Sequence, residues 1–277
     1  MYNFRISPFR FGLAGLIVAV SFLSGFAQQR LVIIGGGDRP EAAMSKFVNW
    51  AGNWKAHILV ITWATSEPES AFDSFKQDLS KFNMEAVEFA PIAPITEQKK
   101  ELLLTQIKNA TGIFFTGGDQ VLIMNVLKDQ SLVKILRERY TAGVVFGGTS
   151  AGTAIMSRKM ITGEGDFTVI DGQKVETTPG LGLLPDQIIV DQHFIKRQRQ
   201  NRLFGLILQD KMSFGVGIDE STSLLIENNR YAEVSGKSQV MTVGHNKDGS
   251  LMIRLFQPGE TLDLFSRKLT TRHRSSR

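Results

Sequence analysis

Residues 143–152 read Gly-Val-Val-Phe-Gly-Gly-Thr-Ser-Ala-Gly, an apolar run followed at once by a turn of small residues. The apolar run predicts a buried strand, and the glycines predict a sharp turn into a helix. Small residues on either side of Ser150 keep other atoms away from its hydroxyl, and the first N–H groups of a following helix point toward the same corner. The stretch therefore predicts a strand, an exposed serine and a helix, which is the geometry of a nucleophile.

Apolar runs of the same form occur at 31–34, 58–62 and 112–116, and the first of them ends in three glycines. Runs that are apolar on both faces are typical of a covered parallel sheet. Between them lie segments with helical spacing, at 42–50, 70–82, 96–109 and 120–139. This alternation predicts an α/β fold with a largely parallel sheet flanked by helices on both faces. The loops that carry 35–37, 117–119 and 147–152 should then meet at the carboxyl edge of the sheet, where ligands bind.

From Met212 onward the apolar runs are shorter and are broken by turns such as Asn228-Asn229 and Asp248-Gly249. This pattern of short apolar runs and turns predicts antiparallel hairpins near the C-terminus. We expect one catalytic domain over residues 28–268, because 277 residues with 42% hydrophobic side chains suffice for a single large core. Residues 269–277 are predicted to be a basic, disordered tail.

The first residues differ from the rest of the chain. Arg5 and Arg10 precede an apolar segment from Phe11 to Leu23, and small residues follow up to Ala27. Basic, apolar and small-residue regions in this order predict a secretory signal peptide over residues 1–27, and therefore a secreted or periplasmic protein. The alternative is a retained membrane anchor. The apolar segment is shorter than the roughly 20 residues of a spanning helix, so we expect no stable anchor after cleavage.

The composition excludes several classes of protein. The chain has no cysteine, so its stability depends on no disulfide. Its net charge of +5 comes partly from the terminal arginines, and no stretch interleaves aromatic with basic residues as nucleic-acid readers do, so we expect no nucleic-acid partner. The loop Gly35-Gly36-Gly37 does not match a dinucleotide site, since Pro40 stands where a third glycine is needed. We expect no cofactor and no metal.

A serine nucleophile needs a neighbouring imidazole to take its proton. The chain has four histidines. His193 is the candidate base, because it follows the apolar run 188–190 and should emerge at a strand end, although a purely structural hydrogen-bonded histidine is the alternative. His57 at the start of a strand, His245 in a polar turn and His273 in the tail are interpreted as structural or solvated.

A third group must orient the imidazole and stabilise its cation. Glu220 ends another apolar run and is the first choice, but Glu164 and Asp166 follow the nucleophile helix closely and remain open. The order Ser, His, acid differs from the Ser, acid, His order of α/β-hydrolases, which makes a lipase or esterase fold less fitting.

Two further sets of residues are candidates for contacts with substrate. The N–H groups of Ala151 and Gly118 form an oxyanion hole if the loop 117–120 lies beside Ser150, with Gln120 offering its side-chain amide; otherwise the loop is a turn capped by Asp119. Arg199 and Arg202 lie three residues apart, so they share a face of the predicted helix close to His193. Guanidinium groups are forked donors for carboxylates, which points to an acidic substrate.

Taken together, these motifs resemble the cyanophycinase family of serine peptidases, relatives of aspartyl dipeptidase. The resemblance covers most of the chain after residue 27 and is carried by the stretches at 115–120, 148–152, 191–194 and 217–220 and by the spacing of Arg197, Arg199 and Arg202. One departure is the segment 163–178, which lacks the extended Gly-Pro-Gly-rich pattern associated with cyanophycinases.

The resemblance implies hydrolysis of cyanophycin, a polyaspartate backbone with arginine on each side chain, to β-Asp-Arg dipeptides. It implies Ser150 as nucleophile, His193 as base and Glu220 as orienting acid, and it implies a substrate cleft lined by Gln120, Asp191, Gln192, Arg197, Arg199 and Arg202. Asp191 would receive the substrate's guanidinium. Relatives often form homodimers, so we expect one here. The alternatives are a peptidase for α- or isoaspartyl peptides, or a non-catalytic binding protein of the same fold.

Overall fold

The computed structural model describes residues 27–165, 168–266 and 268–271. Its strands are β1 Arg30–Ile34, β2 His57–Ile61, β3 Ala86–Phe89, β4 Gly112–Phe115, β5 Val145–Thr149, β6 Lys159–Gly165, β7 Val175–Pro179, β8 Ile188–Gln192, β9 Phe214–Ile218, β10 Thr222–Glu227, β11 Tyr231–Gly236, β12 Val240–His245, β13 Leu251–Phe256, β14 Thr261–Asp263 and β15 Lys268–Thr271. Its α-helices are α1 Glu41–Trp50, α2 Pro68–Leu79, α3 Glu97–Asn109, α4 Gln120–Val126, α5 Gln130–Thr141, α6 Ala151–Ala154 and α7 Gln200–Gln209, with short 3₁₀ helices at Asn53–Lys55 and Gly172–Lys174.

The larger sheet has nine strands in the order β15-β14-β11-β10-β1-β5-β4-β2-β3. The five strands from β1 to β3 in that order run parallel to one another, and β10, β11, β14 and β15 extend the sheet with antiparallel pairs. The predicted α/β fold, with a parallel sheet and antiparallel strands toward the C-terminus, is confirmed.

A second sheet, which the sequence analysis did not anticipate, has the order β13-β12-β9-β8. The C-terminal hairpins are therefore divided: β10 and β11 extend the large sheet, whereas β9, β12 and β13 join the small one with β8. Strand β8 pairs with β9 in the second sheet, whereas β5 lies in the large sheet. The strands that precede Ser150 and His193 therefore belong to different sheets. Strands β6 and β7 form a separate pair.

Both faces of the large sheet are covered by apolar side chains. On one face, α1 and α2 place Phe47 and Phe75 against Val32 and Phe114. On the other face, α3, α5 and the second sheet share one core, in which Leu136 and Ile188 are buried. Helix α7 covers the outer face of the second sheet. The carboxyl ends of strands from both sheets thereby come together at one edge.

Two sequence-based boundaries need correction. The segment 120–139, predicted as one helix, forms α4 and α5, because Asp129 caps a new helix by accepting a hydrogen bond from the Ser131 N–H at 2.9 Å. Residues 269–271, assigned to the basic tail, belong to β15, which pairs with β14. The predicted signal peptide as far as Phe26 and the predicted tail beyond Thr271 lie outside the described residues. No helix that the structure describes is long and apolar enough to cross a membrane.

Candidate active site

Ser150 lies at a sharp corner between β5 and α6. Its backbone has φ 51° and ψ −112°, a conformation that non-glycine residues rarely adopt, and its N–H donates to the Ile34 carbonyl at 3.0 Å. The corner needs the glycines that surround it: a Cβ at Gly148 would lie 2.3 Å from the Gly152 carbonyl oxygen, and one at Gly152 would lie 2.1 Å from that of Phe115. The predicted strand, serine and helix are all present, and the hydroxyl is held clear of its own strand.

His193 brings its imidazole to this corner from the second sheet. It follows β8 with φ 50°, and its backbone N–H donates to the Gly35 carbonyl at 2.6 Å. Its Nε2 lies 2.8 Å from the Ser150 Oγ, which is hydrogen-bonding distance. The arrangement allows the imidazole to accept the serine proton.

Glu220, which follows β9, supplies the carboxylate on the other side of the ring. Its Oε1 lies 2.6 Å from His193 Nδ1. Of the competing acids, Glu164 is exposed on β6, and Asp166 lies outside the described residues. The three side chains form one hydrogen-bonded chain from Ser150 Oγ to the Glu220 carboxylate. With Nδ1–H donating to Glu220, the Nε2 atom is free to accept the serine proton.

The electrostatic surroundings keep the imidazole neutral. Burial lowers the pKa of His193 below its ordinary 6.5, the hydrogen bond to Glu220 opposes this, and the nearby charge of Arg197 lowers the pKa further. Arg197 Nε lies 3.8 Å from the Glu220 carboxylate. A neutral ring is the form that can act as a base.

The pKa of His193 leads to a prediction about pH. Only the neutral imidazole accepts a proton, so kcat/KM should fall as the pH drops through this lowered pKa, at a pH below 6.5. Arg197→Gln removes a cation that lowers the pKa, so this acid limb should move to higher pH. Lys134→Gln, at an exposed i,i+4 pair on α5, is the control and should leave the pH profile unchanged. An acid limb unmoved by Arg197→Gln would contradict the assignment.

Gly36 makes room for the imidazole, a role that the sequence analysis did not identify. A Cβ at Gly36 would lie 2.2 Å from His193 Cε1 and 2.4 Å from Nε2, and the residue has φ 104°. Within the loop of three glycines after β1, Gly36 is therefore the position that the histidine requires to be glycine.

We expect Gly36→Ala to lower kcat by about 100-fold or more, because the methyl group displaces the ring from Ser150, and errors of about 1 Å cost this much. Gly249→Ala is the matched control, since Gly249 also has positive φ, at 85°, but nothing lies within 4 Å of the added Cβ. Steady-state kinetics should show a large loss for the first variant and none for the second. Equal activities would show that the ring does not depend on Gly36.

Asp219 fixes the turn that carries the histidine. Its Oδ1 accepts the N–H groups of Ile195 at 3.0 Å and Lys196 at 2.8 Å, while its Oδ2 accepts the Ser238 hydroxyl at 2.7 Å. The side chain is buried. The residue next to Glu220 therefore ties the loop after β8 to the end of β9, so that the base and its carboxylate keep their relative position.

The loop 117–120 lies beside Ser150, as the oxyanion hypothesis requires. A Cβ at Gly117 would lie 3.3 Å from Ser150 Cβ, and Gly118 has φ 135° against the Ala64 carbonyl. In the described part of the chain, neither Gly118 nor Ala151 donates its N–H to another carbonyl. Asp119 caps α4 through the Val121 N–H at 2.8 Å, so the loop is also a capped turn.

Gln120 and Gln192, the two glutamines expected in the substrate cleft, are both buried at the site. Gln120 donates its amide to the carbonyls of Ile161 at 2.8 Å and Thr162 at 2.5 Å, so it positions β6. The Gln192 Oε1 is buried and has no hydrogen-bond partner among the described residues. Of the two side chains, Gln192 therefore retains an unused acceptor.

The arginines differ from the sequence-based expectation. Helix α7 begins at Gln200, so Arg197 and Arg199 precede it rather than sharing a face with Arg202. Arg197 is half exposed, and Arg199 donates to the Gln192 carbonyl at 2.9 Å. Burial, and then the charge of Arg202, lowers the pKa of Arg199 to about 10, which leaves it charged at neutral pH.

Asp191 and Arg202 do not line an open cleft. Both side chains are only 1% exposed, and they form a two-pronged ion pair in which Arg202 Nε donates to Asp191 Oδ2 at 2.7 Å and Nη2 donates to Oδ1. The proposal that Asp191 receives a substrate guanidinium is therefore wrong, because its carboxylate is already occupied by Arg202. The pair lies beneath the site and supports the loop after β8.

The remaining histidines have structural hydrogen bonds where they are described. His57 opens β2 and contacts Glu88 at 2.6 Å, and His245 ends β12, with Nε2 2.6 Å from the Ile207 carbonyl. His245 therefore lies in a strand and not in the predicted polar turn. His273 lies outside the described residues.

The fold and the hydrogen-bonded Ser, His and Glu side chains define a hydrolase of the serine type. The sequence profile of peptidase family S51 matches residues 31–234. The chain belongs to this family and is a serine-type peptidase.

Known proteins of similar sequence or fold support the assignment to this family. Cyanophycinase of Trichormus variabilis is 32% identical over 77% of this chain and 72% of its own length, and that of Geminocystis herdmanii is 31% identical over 82% and 83%. Peptidase E of Shewanella denitrificans is 25% identical over 51% of this chain and 61% of its own. The crystal structure of a peptidase from an acI-B1 Actinobacterium superimposes with a TM-score of 0.64 over 86% of this chain and 97% of its own, at 21% identity, and so shows the fold.

Proposed function

We propose that this protein hydrolyses cyanophycin to β-Asp-Arg dipeptides through an acyl-enzyme on Ser150. The observation that carries the proposal is the hydrogen-bonded chain from Ser150 Oγ to His193 Nε2 at 2.8 Å and from His193 Nδ1 to Glu220 at 2.6 Å. The similarity to cyanophycinases over most of the chain supports the substrate.

In the first step, the Ser150 oxygen forms a bond to the scissile carbonyl carbon while its proton passes to His193 Nε2. The N–H groups of Gly118 and Ala151 stabilise the resulting oxyanion. The C–N bond then breaks, and the imidazolium, held by Glu220, gives its proton to the leaving amine. Water, activated by the same imidazole, hydrolyses the acyl-enzyme and restores the serine.

The substrate's charge fits the cations near the site. Arg197 and Arg199 lie beside the imidazole and offer forked donors to carboxylates of a polyaspartate chain or of a released dipeptide. The Gln192 Oε1 has no hydrogen-bond partner among the described residues, but it is buried, so it is not open to a substrate N–H in this structure. We propose that Arg197 and Arg199 bind substrate carboxylates, whereas Gln120 acts by positioning β6.

Mass spectrometry of a cyanophycin digest tests the substrate. Wild-type protein should release β-Asp-Arg, and Ser150→Ala should release none. A peptidase for α- or isoaspartyl peptides is the second candidate, and the similarity to Peptidase E favours it. Release of aspartate from short aspartyl peptides, with the polymer left intact, would decide for this second candidate.

We also propose that the protein is exported after cleavage following Ala27 and that the mature chain forms a homodimer. The basic, apolar and small-residue order of residues 1–27 supports export, and the resemblance to cyanophycinases supports the dimer. N-terminal sequencing of protein from the periplasm or medium should begin at Gln28. Light scattering should give twice the mass of the mature chain, and a single-chain mass would reject the dimer.

A further inference from the structure

The end of β1 is hydrogen-bonded to the backbone at, or directly beside, each triad residue. Three successive carbonyls, in what we call the 34–36 segment, each accept one N–H group. The pairs are Ile34 with Ser150 at 3.0 Å, Gly35 with His193 at 2.6 Å and Gly36 with Ser221 at 2.7 Å. Ser221 directly follows Glu220 in the chain. One short stretch of backbone is therefore in contact with the nucleophile, the base and the residue next to the acid.

The 34–36 segment joins catalytic residues that come from two different sheets. The nucleophile follows β5 of the large sheet, whereas the base and the acid follow β8 and β9 of the second sheet. The segment also packs closely on the second sheet, since a Cβ at Gly35 would lie 2.1 Å from the Asp219 carbonyl oxygen. Covalent geometry sets the spacing of consecutive carbonyls, so the segment fixes how far the base and the acid lie from the nucleophile.

Thr153, on α6, holds the start of the 34–36 segment. Its hydroxyl oxygen accepts the Ile34 N–H at 3.0 Å, and its hydroxyl proton faces the carbonyls of Ile34 at 2.6 Å and Gly148 at 2.9 Å. The side chain is fully buried, where a hydrogen bond is electrostatically stronger than in water. Because Ile34 pairs with Thr149 at the last register position of β1 and β5, the hydroxyl lies where these two strands separate.

Thr153 also reaches both polar groups of the Ser150 backbone. Its own N–H donates to the Ser150 carbonyl at 2.9 Å, and its hydroxyl holds Ile34, whose carbonyl accepts the Ser150 N–H. Ser150 has φ 51° and ψ −112°, and a residue stays in so sparsely populated a conformation only when its surroundings hold it there. The Thr153 hydroxyl is one of the groups that hold it.

We propose that the 34–36 segment aligns the triad and that the Thr153 hydroxyl is the positioning group that anchors this segment to the nucleophile corner. The hydroxyl acts through the backbone of Ile34 and takes no part in proton transfer. The inference rests on the acyl-enzyme step of the proposed function, because it concerns the approach of Ser150 to His193, and it is independent of the substrate.

Inactivation by a serine-directed phosphonate tests the hydroxyl without a peptide substrate. Thr153→Ser and Thr153→Ala both lack the methyl group and differ from each other only in the hydroxyl. We expect the maximal inactivation rate of Thr153→Ala to be about 10–100-fold below that of Thr153→Ser, since a misplacement of about 1 Å costs up to about 100-fold. The half-saturating phosphonate concentration should be the same in both variants, and Thr153→Ser should react at a rate close to that of the wild type.

Thr111 provides the matched control, because it makes the same kind of bridge at the opposite edge of the large sheet. Its Oγ1 accepts the His57 N–H at 2.9 Å and donates to the His57 carbonyl at 3.4 Å, at the amino ends of β4 and β2. Thr111→Ala should lower the free energy of unfolding in urea, as Thr153→Ala does, but should be inactivated at the wild-type rate. A purely structural hydroxyl at Thr153 would give this same result.

The outcomes separate this inference from the proposed function. Equal inactivation rates for Thr153→Ala and Thr153→Ser would overturn the role of the hydroxyl, and a wild type that is not labelled would overturn the acyl-enzyme as well. If Thr153→Ala does not fold, Thr153→Cys takes its place and should also react more slowly than Thr153→Ser, because a thiol is a weak hydrogen-bonding group. The expected rates together with no product from cyanophycin would reject the proposed substrate and leave this inference standing.

Discussion

Turnover is expected to fall by about four or more orders of magnitude when Ser150 is replaced by alanine, because the variant has no atom that can form the acyl-enzyme. The Ser150 hydroxyl is the one that contacts His193 Nε2, at 2.8 Å. Steady-state rates on an aspartyl substrate, together with covalent labelling by a serine-directed phosphonate, measure the effect. The phosphonate should label the wild type at Ser150 and leave the variant unlabelled.

Ser250→Ala provides the control for this experiment. Ser250 lies exposed in the turn between β12 and β13, where it hydrogen-bonds Asp248. Its replacement should change neither the rate nor the labelling, and both variants should melt close to the wild type. A loss of only a few-fold in Ser150→Ala would indicate that Ser150 has a packing role and is not the nucleophile. A wild-type protein with neither turnover nor labelling would favour the non-catalytic binding protein.

The largest expected effect on stability is at Asp191. Asp191→Ala leaves the buried guanidinium of Arg202 without its carboxylate, and breaking a buried pair in this way costs about 3–5 kcal/mol. Denaturation in urea should show the loss as a lower free energy of unfolding. Because Arg199 Nη1 also lies 3.9 Å from Asp191, the variant leaves two cations facing each other without the intervening charge.

The exposed pair of Arg158 and Asp186 is the matched control. Its atoms lie 3.2 Å apart, but its side chains are 63% and 70% exposed, so Asp186→Ala should cost less than about 1 kcal/mol. The double variant Asp191→Leu/Arg202→Met should recover part of the lost stability, because it leaves neither member of the pair as an unpaired buried charge. If Asp191→Ala costs no more than Asp186→Ala, the pair does not stabilise the fold.

Asp219 explains why a base from one sheet and a nucleophile from the other remain aligned. It joins the loop after β8 to the end of β9 and, through Ser238, to the connection that leads into β12. The histidine and its carboxylate thus form one hydrogen-bonded unit. The contact of this unit with the large sheet is made by His193 N–H on the Gly35 carbonyl and by the ring on Gly36.

The sequence by itself determined the parallel strands, the corner at Ser150 and the family resemblance. These features are local: apolar runs fix which segments are strands, and closely spaced glycines fix where the backbone turns. It also made His193 the candidate to pair with Ser150, since this histidine follows the apolar run 188–190 and should emerge at a strand end.

Only the tertiary structure decided which sheet each strand joins and which charges face substrate. The second sheet forms because β8 and β9 bury their apolar faces against the large sheet and α7, and no pattern within a single strand specifies its neighbour. The same holds for the acid. The sequence favoured Glu220 and left Glu164 and Asp166 open, and only the structure brings the Glu220 carboxylate to the imidazole. Arg202 is buried and pairs with Asp191, whereas Arg197 is half exposed. The sequence does not distinguish these two arginines, because the cost of burying an unpaired charge depends on the surrounding protein and not on the residue type.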